Sequence, residues 1–145
     1  MEVAGILKAK GPHVETIGPD TDIRLVLHKL ATLGIGSLVV STDGRRIDGM
    51  VSERDVVAGL NRHGQQFLEM RAGEVMSRNG PTCSPTDTLQ QVMAAMTRTR
   101  YRHLPVVDAE GTLCGLVSIG DVVKHRLSEI ELERDVLRDA YVAHR

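Results

Sequence analysis

Gly49-Met50-Val51-Ser52-Glu53-Arg54-Asp55-Val56-Val57 returns 66 residues later as Gly115-Leu116-Val117-Ser118-Ile119-Gly120-Asp121-Val122-Val123. Sliding the chain by that interval lays residues 16–57 on residues 82–123 without a gap, and 11 of the 42 pairs are identical. Several other pairs exchange one apolar residue for another, as in Ile23/Leu89, Leu27/Met93 and Leu30/Met96. Two copies at constant register and low identity mark a module duplicated once. A solenoid stacks about three or more units. A pair must close on itself, so any site it holds occurs in two related versions.

Within each copy the hydrophobic pattern changes period. Ile23, Val26, Leu27 and Leu30 stand at i, i+3, i+4, i+7, the stripe of an amphipathic helix, and Leu89, Val92, Met93 and Met96 repeat it. Pro19-Asp20-Thr21 and Pro85-Thr86-Asp87 supply the helix starts. Leu38-Val39-Val40 and Leu104-Pro105-Val106-Val107 read as strands, followed by turns at Thr42-Asp43-Gly44 and Asp108-Ala109-Glu110-Gly111. Second strands follow at Ile47 to Ser52 and Leu113 to Ser118, and further helices begin near Glu53 and Ile119. Val14-Glu15-Thr16-Ile17 and Pro81-Thr82-Cys83 look like short leading strands. The unit is strand–helix–strand–strand–helix: an α/β chain of the α+β type, in which two pseudo-symmetric repeats pack through their sheets. One such unit of about 60 residues is marginal alone, and a packed pair is not. The division expected is residues 1–66 for the first repeat with its lead-in, 67–128 for the second, and 129–145 for a C-terminal helical extension.

From Val122 to Ala143 there is no Gly or Pro. Val123, Leu127, Ile130, Leu137 and Tyr141 fall at alternating steps of four and three, with Arg134 interrupting the seam. Two readings stand: a helix lying over its own core, and a dimer-forming helix.

Composition narrows the function. A net charge of −1 gives no bulk attraction to nucleic acid or to an anionic membrane. Phe67, Tyr101 and Tyr141 are the only aromatics, too few to stack single-stranded bases. Arg98, Arg100, Arg102 and His103 form a local basic cluster, which keeps nucleic acid as a minor alternative. No stretch approaches ~18 apolar residues, which argues against a membrane span. The N-terminus lacks the pattern of a signal peptide, and the expected location is cytoplasmic. Cys83 and Cys114 stand 31 apart without a CxxC partner, so both are expected reduced and buried in strands. The six histidines are scattered, no metal-ligand spacing occurs, and no catalytic set is visible, so the chain is expected not to be an enzyme.

Each retained segment reads as strand, Ser-x-x-Asp, helix. Ser at the N-cap and Asp in the first turn make a capping-box-like start. The same geometry also suits a nucleotide: free N–H groups and a Ser hydroxyl for phosphate, and an Asp one turn on for two ribose hydroxyls. Capping and binding are compatible.

The pattern Gly-x-Val-Ser-x-x-Asp-Val, present twice, with Leu104-Pro105-Val106-Val107-Asp108 before the second, resembles the cystathionine-β-synthase (CBS) domain, two of which form a Bateman module. The likeness runs from about Val3 to Leu127 and includes the lead-ins Val3-Ala4-Gly5-Ile6-Leu7 and Ala72-Gly73-Glu74-Val75-Met76. It implies a regulatory module with sites for AMP, ADP, ATP, NAD or S-adenosylmethionine. It places Asp55 and Asp121 on ribose, Ser52 and Ser118 on phosphate or sugar, and the backbones of Thr16-Ile17 and Thr82-Cys83 beside adenine. It also implies a disc-like homodimer and a regulated partner protein. In the first copy Ser37-Leu38-Val39-Val40-Ser41 departs from the family pattern, and Arg54 is added as a phosphate clamp. In the second, Gly120 leaves room for close approach, while Arg102 and His103 offer cationic reach, which favours that copy for a phosphorylated ligand. A dimerisation scaffold with empty clefts is the competing reading.

Overall fold

A computed structural model describes residues 1–143; the last two positions of the expected 129–145 extension lie outside them. The first repeat contains β1 (Thr16–Ile17), α2 (Ile23–Leu33), β2 (Ser37–Val40), β3 (Gly49–Ser52) and α3 (Glu53–His63), preceded by a lead-in helix α1 (Val3–Lys10). A short 3-10 segment (Gly64–Glu69) leads to a second lead-in helix, α4 (Ala72–Val75). The second repeat contains α5 (Leu89–Thr99), β4 (His103–Val107), β5 (Leu113–Ser118) and α6 (Ile119–Ala143). In the first sheet β1 runs parallel to β2, and β2 pairs antiparallel with β3. The second sheet repeats the order, with its leading strand reduced to a single parallel bridge between Cys83 and Val106. Each sheet is therefore small and mixed.

Both middle helices begin slightly later than the proline turns suggest. Asp22 and Thr88 are their N-caps. Thr88 makes a reciprocal box with Gln91: the Gln91 amide donates to the Thr88 hydroxyl at 3.1 Å, and the Thr88 amide donates to Gln91 Oε1 at 2.8 Å.

Core membership crosses sequence order. Val3 and Ile6 of α1 are buried with Leu89, Val92, Leu104 and Val117 of the second repeat. Phe67 and Ala72 are buried with Ile23, Val26, Leu38 and Val51 of the first. Matched backbone bonds fix both placements. Val3 N donates to Asp87 O, Ala4 N to Pro85 O and Leu89 N to Met1 O. Likewise Ala72 N donates to Thr21 O, Gly73 N to Pro19 O and Ile23 N to Met70 O.

The recurring glycine of the retained segment follows from this crossing. A Cβ on Gly49 would lie 2.7 Å from both Met76 Sδ and the Ser77 carbonyl oxygen, and one on Gly115 would lie 2.4 Å from Leu7 Cδ2. In each repeat a lead-in segment passes directly over the strand, and only glycine leaves the room.

Strand β2 is buried along its whole length. Leu38 and Val40 join the helix-side core, whereas Val39, equally buried, lies outside that cluster and so on the opposite face. Leu104, Pro105 and Val106 are likewise all buried. Each sheet thus has helices on one face and is covered on the other. Helix α6 is continuous for 25 residues, but Val122 is its only buried residue. Beyond Glu129 its side chains are exposed apart from a half-buried Asp135, so the helix runs past the core instead of covering it.

Cys83 is buried and unpaired, its thiol pushed up to about 12 chiefly by burial. Cys114 is only half-buried, on β5, and Cys83 sits in an isolated bridge, so the expectation of two buried strand cysteines is corrected on both counts. Among the described residues no helix is long and apolar enough to cross a membrane.

The two glycines differ in what stands in the way. At Gly49 the obstacle includes backbone, and at Gly115 it is the flexible end of a leucine. Gly49→Ala is expected to destabilise the protein by about 1–3 kcal/mol, and Gly115→Ala by less, as measured by chemical denaturation of the two variants in parallel.

Candidate functional site

Both Ser-x-x-Asp segments fold as helix caps. Ser52 Oγ accepts from the Asp55 amide at 3.3 Å, and Asp55 Oδ2 accepts from the Ser52 amide at 2.8 Å. In the second repeat the same pair of bonds joins Ser118 and Asp121, at 3.1 and 2.9 Å. The first amide of each helix is also taken: Glu53 N donates to Gly36 O at 3.1 Å and Ile119 N to Arg102 O at 2.8 Å. None of these bonds uses the amides of Arg54 and Gly120, which point from the second helical position.

The two acids have different outer partners. Asp55 Oδ1 accepts from the Ser77 hydroxyl at 2.7 Å. Asp121 Oδ2 accepts from Lys10 Nζ at 2.7 Å, and the same ammonium donates to Leu116 O at 3.0 Å. Burial pushes the Asp121 carboxyl up, but the Lys10 bond, the Ser118 amide and the Lys10 charge outweigh it and hold the group below its ordinary value.

Two cavities meet between the repeats. One, of about 260 Å³, lies between β3 and the second repeat, against Met50, Ser77, Pro81, Thr82, Tyr101 and Pro105. The other, of about 520 Å³, lies between the starts of α3 and α6. Ser52, Arg54, Asp55, Arg100, Arg102, His103 and Ser118 line it. Ser77 and Tyr101 line both. The smaller cavity, lined by polar and apolar groups alike, therefore adjoins a larger one in which Arg54, Arg100 and Arg102 stand with Glu53 and Asp55, and the Ser77–Asp55 bond lies at the junction.

The cationic wall is held from both repeats. Arg54 reaches across to donate to Arg100 O at 3.0 Å, and its guanidinium lies 5.9 Å from the centre of the Tyr101 ring. Arg100 ends α5 in a left-handed conformation, φ 63°, at the position where Gly34 ends α2 with φ 64°. A non-glycine residue held there costs about 1–2 kcal/mol. His103 crosses to the first repeat, where a Cβ on Gly36 would stand 2.9 Å from its Cε1. Burial, then the Lys10 charge, lowers the His103 pKa, with Arg102 adding to it against Asp121 and Glu53.

The structure sorts the expected site residues across the repeats. Thr82 of the second copy faces the chamber that joins Ser52, Arg54 and Asp55 of the first, and Arg102, His103 and Ser118 share the cationic wall. Asp121 is not among the lining residues of either cavity, and neither are Thr16, Ile17 and Cys83. Ile17 and Cys83 are largely buried, and Cys83 with Thr82 borders a separate cavity of about 570 Å³ beside Ser84, Asp87 and Asp108. Sequence reasoning missed Lys10, Ser77 and Arg100 as partners of these groups. Arg100 left a trace, since a left-handed cap position changes from Gly34 to Arg between the copies. Lys10 left none, being 111 positions from Asp121.

Residues 10–62 and 72–128 each match the CBS domain. The chain belongs to the CBS-domain family. A 33.4 kDa protein encoded in a ribosomal RNA operon of Thermofilum pendens is 34% identical over 136 residues, 92% of this chain and 43% of that protein. The chain thus spans less than half the length of that relative. The CBS-domain protein ATU1752 of Agrobacterium tumefaciens superposes with a TM-score of 0.82 at 38% identity, covering 87% of this chain and 99% of the other. CBSX2, solved in complex with AMP, superposes with a TM-score of 0.69 at 27% identity, covering 82% of this CBS pair and 90% of its own chain. Two tandem CBS repeats with their family fold are what the motif pair implied.

Two outcomes follow from the cationic wall. Burial holds the His103 pKa in the fold below the value near 6.5 of an unfolded histidine. Its contribution to stability is therefore complete above about pH 6.5 and lost as pH falls further. Denaturation at a series of pH values is expected to show this decline, and His103→Gln to flatten it. Arg100→Gly is expected to stabilise the protein by about 1 kcal/mol, by relieving the left-handed strain, as read from its thermal unfolding.

Proposed function

We propose that this CBS pair is a non-catalytic regulatory module that binds an adenosine nucleotide in the cleft between its repeats. Occupancy then passes to a partner protein or a second copy. The observation that carries the reading is the meeting of the two cavities at Ser77 and Tyr101. The base enters the chamber beside Met50, Tyr101 and Pro105. Its ribose replaces the Ser77 hydroxyl on Asp55, and its phosphates extend toward Arg54, Arg100, Arg102 and His103. The cavity sizes bracket the lower end of the range of about 300–1,000 Å³ usual for small-molecule sites. A wall of three guanidinium groups favours AMP, ADP, ATP or NAD over S-adenosylmethionine, whose sulfonium is itself a cation. The AMP complex of CBSX2 supports the ligand class. Because Arg54, Arg100 and His103 belong to contacts that cross the repeats, a phosphate between them changes the relative stability of repeat orientations. Such differential affinity is what allosteric transmission requires.

One observation favours the ligand-free scaffold. Both motif acids are satisfied internally, Asp55 by Ser77 and Asp121 by Lys10. Binding must therefore replace a bond that already exists.

Thermal unfolding against AMP, ADP, ATP, NAD, S-adenosylmethionine and a guanosine control separates the two. A ligand at ~100 times its Kd adds about 2.7 kcal/mol. At least one phosphorylated adenosine compound is expected to raise Tm, with the shift abolished by Asp55→Ala and retained in Asp121→Ala, each read against its own ligand-free baseline. No shift with any compound establishes the scaffold instead.

A further inference from the structure

Helix α6 carries an apolar stripe, interrupted at Arg134, that stands exposed on the protomer. Ile119, Val123, Leu127, Ile130 and Leu137 lie along one face and are between 41 and 71% exposed. The buried Val122 and the half-buried Arg126 and Glu129 lie on a neighbouring face, so the stripe flanks the core contact instead of forming it. The spacing from Val123 to Tyr141 is a heptad seam: Val123, Ile130 and Leu137 at d, and Leu127, Arg134 and Tyr141 at a.

We propose that a second copy of this chain covers that stripe, and that the two α6 helices form a parallel, in-register coiled coil over residues 123–141. The charges beside the seam set the orientation. In a parallel pair each g residue meets the e residue of the following heptad on its partner. Here Arg126 meets Glu131 and Glu133 meets Arg138, opposite signs both times and twice over by symmetry. An antiparallel pair that sets Leu127 against Leu137, to use the whole seam, puts Glu131 against itself and Lys124 against Arg138. Sliding the antiparallel pair to repair those charges leaves Leu137 and Tyr141 beyond the contact. The lone polar a residue, Arg134, is matched with itself only in the in-register parallel pair, the use of a single polar a position as a register mark.

A free helix of this length is marginal in water. This one begins on a folded domain: Ser118 and Asp121 cap its start, Val122 is buried in the core, and Arg126 is paired with Glu129 at 3.5 Å. Preorganisation of that kind lowers the cost of association. Self-association by this route does not depend on the cleft being occupied.

Sedimentation velocity over a concentration series tests it on the intact chain. The native protein is expected to dimerise, and Ile130→Glu to be monomeric with the Tm that the native protein shows when diluted to monomer, since that side chain is exposed in the protomer. Glu133→Arg is expected to weaken dimerisation by about tenfold, by making both g–e′ contacts repulsive. Adding Arg138→Glu is expected to restore it. Positions 133 and 138 are not neighbours on one helix, where pairs are three or four apart, so rescue reports a contact between chains. A protein monomeric at every concentration overturns the proposal, as does a dimer indifferent to Ile130→Glu. Failure of Arg138→Glu to rescue overturns the parallel register.

Discussion

Each lead-in helix is laid over the far repeat, and this crossing holds the rest of the molecule in place. Leu7 rests on Gly115, while Met76 and Ser77 rest on Gly49. A repeat of this size is marginal on a core of its own residues, and here neither stands on one. Val3 and Ile6 complete the second core, and Phe67 and Ala72 the first. The linkers that carry those helices across also deliver Lys10 to Asp121 and Ser77 to Asp55. One packing constraint thereby fixes both the pairing of the repeats and the outer partner of each motif acid.

The same duplication that builds two equal folds leaves the two motif acids in unequal surroundings. Asp55 is joined to a neutral hydroxyl, whereas Asp121 is joined to an ammonium. Removing Lys10 from Asp121 separates opposite charges, so the second acid is the harder one to recruit. Around Asp55 the cations come from both copies, and Arg100 is kept in a left-handed cap that its equivalent fills with glycine. Arg100 therefore holds backbone strain that Gly34 avoids, and its carbonyl receives the Arg54 guanidinium from the other repeat.

The architecture and the capping were legible in the chain because they are local. Helix stripes, β-branched strands and turn residues act over a few positions, and the 66-residue repeat checks each reading against a second copy. The hairpins, the starts of α3 and α6 at Glu53 and Ile119, and the reciprocal Ser–Asp bonds all appear where the motif places them. The leading strand of the second copy did not survive beyond one bridge. Its alternation is too short to specify more.

What only the tertiary structure decided is which groups meet across the repeats. Nothing periodic connects Lys10 to Asp121, Ser77 to Asp55 or His103 to Gly36, because those contacts depend on how two finished sheets and two crossing linkers pack. For the same reason a motif that names Asp55 and Asp121 alike does not reveal that only Asp55 lines the joined cavities. The sequence by itself determined a duplicated CBS pair with capped helices and an apolar seam on its last helix, since these are properties of neighbours along the chain. The composition of the cleft, and the exposure of that seam, were set by packing between segments tens of residues apart.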